Sequence, residues 1–189
     1  MKALLHSSLA CAVLAAGLVL PARAAEPAGG QIDFGTFTPP ASGGEFVEVH
    51  IRSNLISMAA RLAEKAEPEI ADLLRGLKTI RVNVIGLDDH NRADLEQRIK
   101  SIRGQLEAGG WERIVTAQQG REDVGVYLKT RGEEAVEGVV VTVLEGTKEA
   151  VLVNIVGDIR PEKLVTLGER FDIEPLKKLG PGLKKDAAK

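Results

Sequence analysis

Between Trp111 and Ile159 the chain carries four β-rich runs, WERIVTAQ, DVGVYLKT, EGVVVTVLEG and AVLVNIVGDI, separated only by short Gly or charged stretches. Runs at this spacing read as consecutive hairpins, which makes an antiparallel meander the expected core of the fold. Parallel pairing would need crossover connections of a dozen residues or more, and these gaps have no room for them.

The segments on either side supply the rest of the layer. FVEVHIR, residues 46 to 52, sets Val47, Val49 and Ile51 on one strand face and Glu48, His50 and Arg52 on the other. Ser53 is then the expected N-cap of a helix from Asn54, with Leu55, Met58, Ala59 and Leu62 on one face. Pro68 ends that helix and suits the first turn of a second one bearing Ile70, Leu73, Leu74 and Leu77. TIRVNVIGL, 79 to 87, is a second strand, and Leu95, Ile99, Ile102 and Leu106 make the apolar stripe of a third helix that Gly109 and Gly110 stop. PEKLVTLGERF, with Pro161 at its start, predicts a closing helix through Leu164, Leu167, Gly168 and Phe171.

The order is therefore strand, helix, helix, strand, helix, four strands, helix. It predicts an α+β fold, a mainly antiparallel sheet of about six strands with helices packed on one face. The first two strands, joined through helix, are expected to lie parallel.

The chain ends have their own character. Residues 1–24 combine Lys2, an apolar run from Leu9 to Leu20, Pro21 and the small pair Ala22 and Ala24, the pattern of a signal peptide cut after Ala24. The run is shorter than the roughly 20 apolar residues of a membrane span, so a periplasmic or secreted protein with no transmembrane segment after cleavage is expected. Cys11, the one cysteine, sits inside the apolar run rather than after it, so lipidation is not expected, and the mature chain would have neither disulfide nor thiolate. A Gly- and Pro-rich leader spans 25–44 and is expected to dock through Phe34 and Phe37. A single domain follows over 45–174, and a Lys-rich tail over 175–189.

Charge and composition exclude nucleic acid as a partner. The formal charge is −2, the signal segment takes away two further basic residues, and aromatics make up only 3% of the chain.

If helices cover one face, the other is polar. Alternation places Glu48, His50, Arg52, Arg81, Asn83, Tyr127, Lys129 and Asn154 there, a set that could bind a partner or simply be solvated. Val140, Thr142 and Leu144 would share that face, an apolar patch suited to a homodimer contact.

Chemistry is sparse. Of the three histidines only His50 and His90 lie beyond the signal segment, and there is no G-x-S-x-G, S-x-x-K, H-E-x-x-H or phosphate-binding Gly loop. Asp88, Asp89 and His90 could chelate a divalent cation, but at a strand-to-helix junction capping is the favoured role. No cofactor and no catalytic residue is assigned.

FVEVHIRSNLISMAARLAEKAEPEIADLLRGLKTIRVNVIGL, VYLKTRGEEAVEGVVVTVLEG and LVNIVGDIRPEKLVTLG, in that order, resemble the bacterial family known as domain of unknown function 4252, over about 45 to 171. The resemblance implies a small exported or envelope-associated protein, and an accessory role in envelope stress or sigma-factor systems. It brings no catalytic residue, and the cysteine after the signal that marks many relatives as lipoproteins is missing here.

The leading expectation is a periplasmic, non-enzymatic binding module for an envelope protein or small envelope component, acting through the polar sheet face or an edge strand. The rivals are a metal-dependent hydrolase built on Asp88, Asp89 and His90, and a structural homodimer formed through the open sheet face.

Overall fold

The computed structural model describes residues 29–132, 135–160 and 163. The expected signal segment, the expected closing helix apart from Lys163, and the Lys-rich tail lie outside the described residues. Six strands and three helices follow one another as β1 (Phe46–Arg52), α1 (Ser53–Ala63), α2 (Pro68–Gly76), β2 (Leu77–Gly86), α3 (Arg92–Ala108), β3 (Glu112–Gln119), β4 (Glu122–Arg131), β5 (Ala135–Glu145) and β6 (Glu149–Ile159). The strands form one sheet in the order β1-β2-β6-β5-β4-β3.

Every pairing in that sheet is antiparallel. This includes β1 with β2, where Phe46 faces Ile85 and Arg52 faces Thr79, against the expected parallel pair. The reason is the break at Pro68. Two helices packed on each other return the chain to the end of the sheet it left, so β2 starts beside the last residue of β1 and runs back.

Local signals set the element ends. Pro68 occupies the first turn of α2, where a missing N–H costs nothing. At α3 the stop is a Schellman arrangement: Gly110 takes φ 70°, Gly110 N–H donates to Glu107 and Trp111 N–H donates to the Leu106 carbonyl at 3.0 Å. Ser53 is not an N-cap. Helix α1 begins at Ser53 itself, and Arg52 stands at the cap position without a side-chain bond.

The sheet is covered on both faces, which corrects the expected one-sided arrangement. On one face α1 and α2 insert Ile56 and Leu73 among Ile80, Val126, Val139, Val141, Val153 and Ile155. On the other, α3 lays Leu95, Ile99, Ile102 and Leu106 over Tyr127, Val140, Ala150 and Leu152, and the leader adds Phe34 and Phe37 to the same core. An apolar helical stripe has to be buried somewhere, and that of α3 finds its apolar counterpart on the face opposite α1 and α2.

Helix α1 departs from the expected orientation. It buries Ile56 and Ala60, so Leu55, Met58 and Leu62 remain exposed. Among the described residues no helix is long and apolar enough to cross a membrane.

Candidate functional site

The eight residues expected on one polar face do lie on the side opposite α1 and α2, but the structure divides them into two groups. Asn83, Tyr127 and Asn154 are buried, and Arg81 and Lys129 are half-buried. Only Glu48, His50 and Arg52, on the outermost strand, are exposed. Val140, Thr142 and Leu144 are also buried, under α3, so the apolar patch expected to serve a homodimer is internal.

The buried group holds the leader and α3 in place. Asn154 Nδ2 donates to the Gly30 carbonyl at 3.0 Å and to the Val139 carbonyl at 3.2 Å, while its Oδ1 accepts Ile32 N–H at 3.1 Å. The guanidinium of Arg81 lies 5.9 Å from the Phe34 ring centre and 3.9 Å from the Asp33 carboxylate. Lys129 Nζ donates to the Gly109 carbonyl at 2.6 Å, a cation set on the negative end of α3. Tyr127 packs beneath Arg113, which is also bonded to Glu107. These are packing and clamping roles.

Gly30 and Gly138 let the leader come this close. A Cβ on Gly138 would sit 2.5 Å from the Gly30 Cα and 2.6 Å from Trp111.

Asp88, Asp89 and His90 form a turn before α3. Asp88 Oδ1 accepts the N–H groups of His90 and Asn91, both at 2.9 Å, and Oδ2 accepts the Ser42 hydroxyl at 3.0 Å. The N–H of Asn91, then the Ser42 hydroxyl and the N–H of His90, hold the Asp88 carboxyl below its usual pKa against a smaller opposing effect of burial. The carboxylate is thus occupied as a turn cap that also fastens the end of the leader. Among the described residues no group of three or more His, Cys, Asp or Glu side chains is placed to share a metal ion.

Sequence reasoning missed a polar network beneath α3. Arg103 Nη1 donates to Asp123 Oδ2 at 2.6 Å and its Nε to Thr142 Oγ1 at 3.0 Å. Gly125 leaves the space for it, since a Cβ there would stand 3.2 Å from the Arg103 Nε. The network forms part of the wall of an open cleft of about 690 Å³ between α3 and the β3–β4 turn, lined by Lys100, Glu107, Arg121 and Glu122 among others. Its charges are mixed in sign, so the cleft shows no selectivity for one class of ion. The clue in the sequence is Thr142, a polar residue within a valine run, and it names no partner.

What remains open to solvent is the β1 margin. Among the described residues the strand pairs with β2 on one side only. Along it stand Glu48, His50 and Arg52; Val47 is 37% exposed, and on α1 directly after it Leu55, Met58 and Leu62 are 49%, 49% and 78% exposed. The spacing of the three helical residues puts them on one face. Burial first, then the nearby charges of Arg81 and Arg52, lower the pKa of His50, with Glu48 acting in the opposite direction. The other outer strand, β3, differs: its register with β4 shifts between Arg113 and Val115, the kind of irregularity that blunts an edge against further pairing.

Residues 43–167 match the model of a family described as a domain of unknown function (DUF4252). No curated protein and no solved structure matches the chain.

Proposed function

Since the chain belongs to that family, whose description names no activity, we propose a role argued from its own surface: an exported, non-enzymatic binding module that takes a protein partner at the β1 margin. The observation that carries this reading is the exposed row of Leu55, Met58 and Leu62 beside a strand with one unpaired side. Helix α3 buries its apolar stripe and α2 buries Leu73. Exposed apolar groups beside an unpaired strand favour docking of another chain, because main-chain bonding and side-chain burial are available together.

The polar sheet face is not part of this proposal, since the leader and α3 occupy most of it. The expected export, read from residues 1–24, supports an envelope setting for the partner.

The test is site-specific photo-crosslinking in the native envelope. A crosslinker at Leu62 should trap a discrete partner, while one at Lys100 on the exposed side of α3 should not. Leu55→Asp with Met58→Asp should abolish the adduct without lowering the melting temperature. Equal trapping at both positions, or trapping that survives the double substitution, would overturn the reading.

A further inference from the structure

Resting on the reading of β1 as a binding margin, we infer that its partner is a second copy of this chain, added edge to edge so that the two sheets become one twelve-stranded sheet. The argument begins with the main chain. Gly86 N–H donates to the Glu45 carbonyl, and the β1–β2 register runs without a shift from Phe46 to Arg52. Main-chain direction alternates along a strand. The N–H and C=O groups of Val47, Val49 and Ile51 therefore point toward β2, and those of Phe46, Glu48, His50 and Arg52 point to the unpaired side.

Two copies of FVEVHIR laid antiparallel on their outward groups can meet in only a few registers. The one that overlaps all seven residues places the two-fold axis between the two Val49 residues. It sets Glu48 against His50 of the second copy, and His50 against Glu48. On the opposite face Val47 meets Ile51 and Val49 meets Val49, and at the ends Phe46 meets Arg52, a pair suited to cation–π contact. A shift of one step one way sets Glu48 against Glu48; the other way it sets Glu48 against Arg52 but His50 against His50, and leaves only residues 48–52 overlapping. The strand is self-complementary in its full-overlap register, which alone keeps all seven residues paired and leaves no like residue opposite another on the polar face.

The axis is normal to the sheet, so both α1 helices lie on the same side of the joined sheet. Helix α1 packs over β1 and β2, with α2 reaching β6, which makes α1 the outer helix of its layer, next to the margin that the second copy approaches. The symmetric, isologous form of the contact is the usual one for soluble homodimers. Strand β3 offers no such match because of its shifted register.

The experiment uses the full chain carrying Cys11→Ser, so that an introduced thiol is the only one. In this register Val49 and its counterpart are a non-hydrogen-bonded pair with Cα atoms about 4.5 Å apart, within disulfide reach. Val49→Cys should form a disulfide-linked dimer under mild oxidation. Val47→Cys and Ile51→Cys should each stay monomeric alone but crosslink when mixed. Glu48→Lys should weaken self-association about tenfold in sedimentation equilibrium, since the pair occurs twice, and Glu48→His with His50→Glu should restore it.

A chain that sediments as a monomer at all concentrations, or thiols at 47 and 49 that self-crosslink equally, would overturn the dimer. If the Leu62 crosslinker then still traps a different protein, the binding margin stands and only its occupant is wrong. If it traps nothing, both readings fail.

Discussion

The side chain of Asn154 donates a hydrogen bond to the carbonyl of Gly30 across 124 residues of chain, and the same side chain accepts Ile32 N–H. One amide in the middle of β6 thus substitutes for the strand partner that the leader lacks. It holds the leader across a face that would otherwise be solvated.

Asn154→Ala should cost about 2–3 kcal/mol, because it removes two buried hydrogen bonds, to the carbonyls of Gly30 and Val139, and a part-buried one from Ile32 N–H. Denaturant unfolding measures that loss. Hydrogen exchange at Ile32 should accelerate well before exchange in β5 or β6 does.

Gly138→Ala should be destabilising by about 1–3 kcal/mol, through overpacking against the main chain of Gly30 and the ring of Trp111. Trp111 is the chain's one tryptophan, so its fluorescence reports on the contact directly. The expected change is a lower urea midpoint with a red-shifted native spectrum.

Asp123→Ala should cost about 2 kcal/mol, since it strands a mostly buried guanidinium whose closest bond is the one to Asp123. Arg103→Met combined with Asp123→Ala should recover part of this loss. A double-mutant cycle in urea gives the coupling.

Asp88 predicts the acid limb of the stability curve. Its folded pKa is lowered, so its contribution is complete above the ordinary value of 3.8 and disappears as the pH falls through the lowered one. Asp88→Asn should therefore be less stable than the parent at neutral pH, and the difference in melting temperature should close below pH about 4. The Asn variant also keeps the turn's shape, so a gap unchanged down to pH about 2 would count against the assignment.

Much of this architecture is legible in the residues alone. Alternation at hairpin spacing specifies β3 to β6, Pro68 and Gly110 punctuate the helices, and the four-residue stripe of α3 identifies its buried side. These signals are local: each depends on a few neighbouring residues, and the physics that acts on them is complete within a turn or a hairpin.

What the tertiary structure decided is which surface each stripe meets. Period two divides a strand into two faces but carries no information about what covers either one. Tyr127, Asn83 and Asn154 look like a wet row in the sequence and become the bed for α3 and the leader, because Leu95, Ile99, Ile102, Leu106, Phe34 and Phe37 require an apolar counterpart. The same competition leaves Leu55, Met58 and Leu62 outside. Burial of one helix face is settled by the space beside it, and that space exists only once distant parts of the chain have met.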